Sequence, residues 1–200
     1  MHMQAPLILA STSVYRQELL RRLQMPFDVM APDVDESPQP TELPESLATR
    51  LALAKARSVA ARHPWAVVIG SDQVAELDGE AVNKPGHHDA AVQQLRAMRG
   101  RQVVFHTAVA VVCANSGFEA SALARVSVTF RQLSDTEIEH YLRIDRPYDC
   151  AGSAKVETLG IALLDAVESD DPTALIGLPL IRTCTLLRQA GIDPLGHTAS

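Results

Sequence analysis

Val67 to Pro85, VVIGSDQVAELDGEAVNKP, holds most of the architectural information in the chain. Val67-Val68-Ile69 is a β-branched apolar run and reads as a buried strand. Gly70-Ser71 breaks the run and delivers Asp72 at the strand's end, where a carboxylate can face a cleft and glycine lets backbone approach a ligand. Val74 to Leu77 is a second short strand. Asp78-Gly79 is a two-residue hairpin turn, and Glu80 to Asn83 returns to Lys84-Pro85. The hairpin thus carries a carboxylate at its start and an ammonium at its finish. Taken alone, Asp72 reads more readily as a turn residue and Lys84 as a solvated edge charge.

Two hundred residues with 46% apolar and 21% charged side chains suit one soluble domain, 1–200, or one domain with two lobes. The net charge of -6 argues against nucleic acid or an anionic membrane as a partner. Apolar runs fall short of the roughly 18 residues a membrane span needs, and Met1-His2-Met3-Gln4 leads into a strand-like segment instead of a signal peptide. The expectation is a cytoplasmic protein. Cys113, Cys150 and Cys184 are odd in number and widely spaced, so they read as small core residues and not as disulfides or zinc ligands. Fifteen of the 18 basic residues are arginine; the lysines are Lys55, Lys84 and Lys155, positions where a compact point charge is wanted.

Upstream of the central segment, Ala5 to Ala10 reads as a buried first strand. Ser11-Thr12-Ser13 follows, then an amphipathic helix from about Val14 to Leu23 with Tyr15, Leu19, Leu20 and Leu23 on one face. The hydroxyls, the free helix N–H groups and the fork of Arg16 form an anion site, or else plain N-caps beside an exposed arginine. Phe27 to Ala31 is a second strand. Pro32 to Pro38 leaves it as an acidic loop whose Asp33, Asp35 and Glu36 hold a divalent cation or are simply solvated. In a helix from about Glu45 to Arg62, Leu47, Leu51, Lys55 and Val59 recur at spacing four, so Lys55 falls on the core-facing line. It either snorkels outward or emerges into a cleft.

Downstream, His88 to Met98 reads as a helix stopped at Gly100, with His87-His88 as loop start and N-cap instead of metal ligands. Gln102 to Cys113 is a long alternating strand. Ala122 to Arg131 is another, with Val126, Val128 and Phe130 on one face. Ser134 to Glu137 is a capping box opening a helix through about Arg143. In the small-residue loop Tyr148 to Glu157, Gly152 and Ser153 let backbone pass close to a ligand. Gly160 to Asp165 returns to strand, and a last helix begins at Pro179 and ends at Gly191. Four or five strands interleaved with four helices imply an α/β chain, a mixed sheet with helices on its faces.

Six segments, in order, resemble the Maf family of nucleoside triphosphate pyrophosphatases: LILASTSVYRQELL (Leu7 to Leu20), APDVDES (Ala31 to Ser37), RLALAKA (Arg50 to Ala56), VIGSDQVAELDGEAVNKP (Val68 to Pro85), YDCAGSAKVETLG (Tyr148 to Gly160) and GLPLI (Gly177 to Ile181). The resemblance implies a two-lobed α/β fold related to inosine triphosphate pyrophosphatases, with the cleft between lobes. It also implies hydrolysis of a nucleoside triphosphate between the α and β phosphates, a divalent cation (Mg or Mn), and a homodimer. Asp72 would be the general base. Ser11, Arg16, Lys55 and Lys84 would hold phosphate, and Glu36, with Asp72, would serve the metal. The chemistry needs such a set: a deprotonated water, a cation, and positive charge on the departing pyrophosphate.

Tyr15, Gln73 and Glu157 occupy the base-selecting positions of that family, and the set resembles the branch acting on 7-methyl-GTP more than the pyrimidine branch. N7 methylation makes guanine cationic, which suits the face of Tyr15 and the charge of Glu157. Two departures stand out: Val14 replaces a frequent proline, and tyrosine replaces the branch's frequent tryptophan. The alternatives are a pyrophosphatase for other canonical or modified triphosphates, and a nucleotide-binding regulator of cell division.

Overall fold

The computed structural model describes residues 5–196; Met1 to Gln4, the expected lead-in to the first strand, lies outside the described residues. In chain order the elements are β1 (Leu7–Ala10), α1 (Val14–Arg21), β2 (Asp28–Met30), α2 (Pro44–Ala60), β3 (Val67–Leu77), β4 (Glu80–Val82), α3 (His88–Met98), β5 (Gln102–Cys113), β6 (Phe118–Phe130), α4 (Asp135–Asp145), β7 (Leu164–Glu168) and α5 (Leu180–Gln189). The count among the described residues is thus seven strands and five helices, more than the four or five and four expected. β2 and β4, at positions read as strands from the sequence, are each only three residues long and are given order by pairing with a longer neighbour.

The sheet runs β2-β1-β3-β5-β6-β7, with β4 also on β3. β1 pairs in parallel with β2 and β3, and every other pairing is antiparallel. The parallel neighbours are joined through helices α1 and α2, as parallel strands require. This is the mixed α/β sheet expected from the sequence.

Strand alternation sorts the core. Val68, Val74, Ala108, Ala110 and Val112 face α2, packing on Leu47, Leu51, Ala52, Ala56 and Val59. Val67, Ile69, Val109 and Val111 face the other way, onto Leu19 and Leu20 of α1 and Leu186 and Leu187 of α5. Farther along the same long strands, Ala75, Phe105, Val126, Val128 and Phe130 build a third cluster with α3 and α4. The lobes are therefore two ends of shared strands.

Five expectations need correction. β3 is one continuous strand and not two, and Asp72 lies within it: β5 pairs with it from Val68 to Glu76 without interruption. Gly70 serves the helix behind it, not a ligand, because a Cβ there would lie 2.2 Å from the Ala52 carbonyl oxygen and 2.6 Å from the Ala56 nitrogen. Gly152 and Ser153 are likewise buried: a Cβ on Gly152 would meet the Phe105 ring at 3.1 Å, and Ser153 donates to Gln94 Oε1 at 2.6 Å. Leu159–Leu163 forms a 3-10 turn before β7, where strand was expected from Gly160. The three cysteines are half-buried, not core.

The capping box on α4 is present as read, and His87 caps α3. α5 begins one residue after Pro179, and its first N–H groups are satisfied from a distance. Leu180 N donates to Thr173 Oγ1 and Arg182 N to the fully buried Asp171 carboxylate. Among the described residues no helix is long and apolar enough to cross a membrane.

Candidate active site

β1 covers one edge of β3 only as far as Gly70, and β4 takes up that edge again at Ala75. Ser71 to Val74 are left as an open stretch beyond the carboxyl end of β1, the place where open α/β sheets bind ligands. A cleft of about 640 Å³ lies against it. Its walls include Leu47 and Leu51 of the first lobe and Ala151, Ala154 and Leu175 beside the second.

Consecutive strand residues point to opposite faces, so Asp72 and Gln73 divide the cleft between them. Asp72 faces α2. There Lys55, on the core-facing stripe, is 5% exposed; it does not snorkel outward. Its Nζ donates to Asp72 Oδ1 at 2.6 Å and lies 2.8 Å from Glu36 Oε1. One buried ammonium thus bridges the carboxylate of β3 to the acidic loop. Burial works to raise the Glu36 carboxyl, but the hydrogen bond and charge of Lys55, with Lys84 and Arg16 beyond, bring it net below the usual carboxylate range. The loop is tied down by Arg50, which grips both Glu42 oxygens and the Ser37 carbonyl. Asp35 turns to Ser37 N, so the loop's carboxylates do not converge. Among the described residues no three metal-ligating side chains gather.

On the other face, Ser71 Oγ lies within bonding distance of the carbonyls of Ala108 (2.7 Å) and Gly177 (3.0 Å). Arg16 Nε donates to the same Gly177 carbonyl at 2.9 Å, and its Nη1 approaches Ser11 Oγ at 3.5 Å. Ser13 caps α1, as the capping reading expects, but Arg16 is half-buried and lines the cleft instead of standing exposed. Desolvation lowers the Arg16 pKa against the raising influence of Asp72 and Glu36, neither of which touches it. Lys84 reaches the cleft from the hairpin's exit and is exposed. Among the described residues neither Arg16 nor Lys84 is in an ion pair.

Gln73 Nε2 lies 3.0 Å from each of Thr107 Oγ1 and the Ala174 and Leu175 carbonyls. Two carbonyl acceptors fix the amide's orientation, which leaves Oε1 as an acceptor without a protein partner among the described residues. Tyr15 is half-buried on the first turn of α1, with Lys155 Nζ 5.3 Å from its ring centroid. Glu157 stands exposed in the wall, yet residual desolvation raises its carboxyl above the ordinary value. All nine residues singled out from the sequence line this cleft: Ser11, Tyr15, Arg16, Glu36, Lys55, Asp72, Gln73, Lys84 and Glu157. Sequence reading missed Thr107 and the Ala174 to Gly177 carbonyls. Thr107, a hydroxyl inside an apolar strand run, signalled its own burial but not the partner it meets.

In this mixed α/β fold the Arg16 guanidinium and Lys84 ammonium, in no ion pair among the described residues, line one cleft with the carboxylate–lysine–carboxylate bridge, a set whose chemistry suits an anionic ligand beside a carboxylate. The chain belongs to the Maf family: residues 6–190 match the family described as Maf-like protein. It is 65% identical over 193 residues to a protein of Albidiferax ferrireducens, covering 96% of this chain and 97% of that one. Identity is 66% over 187 residues to one of Polaromonas sp. (94% and 85%), and 56% over 195 residues to one of Bordetella pertussis (96% of each). All three are named 7-methyl-GTP pyrophosphatase.

Proposed function

We propose that this chain, acting as one domain, hydrolyses 7-methyl-GTP to 7-methyl-GMP and pyrophosphate and so clears a modified nucleotide from the cytoplasmic pool. The observation that carries the reading is the Glu36–Lys55–Asp72 bridge opposite the unpaired Arg16 and Lys84. Lys55 takes one oxygen of Asp72 and leaves Oδ2 to receive a proton from water. The hydroxide attacks the α-phosphorus, the bond from that phosphorus to the α–β bridging oxygen breaks, and pyrophosphate departs toward Arg16 and Lys84. Fixed positive charge where negative charge gathers is the main stabilising influence.

The residues fit a divalent cation, magnesium or manganese. Lys55 uses Oε1 of Glu36, so Oε2 would remain to hold an ion that takes its other ligands from phosphate and water, the usual habit of magnesium, while Asp72, its Oδ2 kept for the proton, would meet the ion through that water. When bound, the ion supplies charge neutralisation and polarisation of the phosphoryl oxygens. At the base, Tyr15 offers a face to a cationic purine, while Glu157 and Gln73 Oε1 offer acceptors to its N–H edge. A homodimer belongs to the same proposal, and sedimentation equilibrium checks it.

Turnover in ¹⁸O-water tests the chemistry. Label appearing in 7-methyl-GMP supports attack on the α-phosphorus; label in pyrophosphate would overturn it.

A further inference from the structure

The chain's lysines are few, and they converge. Lys55 and Lys84 line the cleft, and Lys155 reaches it by laying its ammonium over Tyr15. Lys155 is anchored on both sides. Its N–H donates to the hydroxyl of buried Tyr141 at 2.9 Å, and its backbone is packed so closely by Gly160 that a Cβ on that glycine would meet the Lys155 oxygen at 2.5 Å. The main chain is therefore fixed and the ammonium's position follows from the side chain alone. Among the described residues lining the cleft, Tyr15 alone is aromatic. The partnership with Tyr15 raises the Lys155 pKa, so the contact favours the charged amine.

We infer that Lys155 is the resident cation of the base subsite: in the empty cleft its ammonium occupies the face of Tyr15 that a cationic base takes, and base binding is an exchange of one cation for another. The inference rests on the proposed function and names a residue to which that reading gives no role. Its consequence concerns release as much as binding. Once pyrophosphate has gone, the monophosphate holds the site by its base, and the returning ammonium competes for the same ring. Lys155 thus acts as a positioning residue that helps expel product and that keeps bare nucleosides from filling the cleft.

The test is product inhibition by 7-methyl-GMP in Lys155→Met, which keeps the stem and removes the charge, with Lys155→Arg retaining a cation. The expected result is tighter inhibition in Lys155→Met by about 2- to 30-fold, the range to which a cation–π contact converts, with Lys155→Arg close to the parent. A lysine that merely supports the fold gives no tightening. An unchanged or weakened inhibition constant in Lys155→Met overturns the exchange, the latter because it makes Lys155 a ligand contact. A second measurement needs no variant. The Lys155 ε-methylene proton signals, shielded by the Tyr15 ring in the free protein, move toward ordinary lysine values when 7-methyl-GMP is added; signals that stay put contradict the exchange. Failure of the parent to cleave 7-methyl-GTP would sink the proposed function alone, because the NMR measurement reads the exchange without turnover.

Discussion

Lys55 Nζ lies 2.6 Å from Asp72 Oδ1, with the two side chains only 7% and 11% exposed. The pair joins α2 to the open stretch of β3, so it bears on both stability and chemistry. Removing one partner of a buried pair strands the other charge. Lys55→Met is therefore expected to lose about 3 kcal/mol of stability by denaturant unfolding, tempered by the half-exposed position of Glu36, which water can solvate. Lys55→Met combined with Asp72→Asn should lose clearly less than the two single changes together, since the one carboxylate left without its lysine is half-exposed Glu36 and not buried Asp72. Asp72→Asn alone should lower turnover by about 10²- to 10⁴-fold, the range for loss of a general base. A fully active Asp72→Asn protein would remove Asp72 from the mechanism.

Gly70 and Gly79 make a matched contrast. Gly70→Ala places a methyl group against the Ala52 carbonyl and the Ala56 nitrogen, both backbone, and should cost about 3 kcal/mol or more by pushing α2 off the sheet. Gly79 has open space around it and a φ of +85°, so Gly79→Ala should cost about 1–2 kcal/mol, the left-handed penalty alone. Thermal melts of the two variants decide it.

Gln73→Glu replaces a donor amide with a carboxylate facing the Ala174 and Leu175 carbonyls. The expected outcome is a loss of about 1–3 kcal/mol and a raised KM, because the segment that also presents Gly177 to Arg16 keeps its Ser71 bond but loses its Gln73 ties to β3. Unchanged stability and KM would show that this segment is held otherwise.

The preference for a cationic base should depend on pH through Glu157. Desolvation raises this carboxyl above its ordinary value of 4.5, so as pH falls it takes up a proton earlier than a free glutamate would. The ratio of kcat/KM for 7-methyl-GTP over GTP should be full above the raised value and fall as pH drops through it. Glu157→Gln should flatten the profile and lower the ratio at neutral pH. A ratio independent of pH in the parent would detach Glu157 from base selection.

Much of this was legible in the sequence, for identifiable reasons. Lys55 betrayed itself by standing on an apolar stripe at spacing four, where burial follows unless the side chain snorkels, and it is buried. The helices at His88 and Ser134 carried their own start signals. Gly70 misled, because a glycine in an apolar run looks alike whether a ligand or a helix backbone presses on it; only the position of α2 distinguishes the two. Asp72 was read as a strand end because β3 outlasts its neighbour β1, a property of two strands and not of one. Asp171, which holds the start of α5 from nine residues before Leu180, and Thr107, which holds the Ala174 carbonyl, act across distances that no local pattern encodes.

The most direct test of the account is hydrolysis of a panel of 7-methyl-GTP, GTP, dTTP, UTP, CTP and ATP by the purified protein with magnesium or manganese, following pyrophosphate and monophosphate together. The account predicts pyrophosphate and monophosphate in equal amounts, with strong preference for 7-methyl-GTP. Preference for dTTP or UTP would contradict the base reading of Tyr15, Gln73 and Glu157, and no turnover of any triphosphate would contradict the enzyme itself.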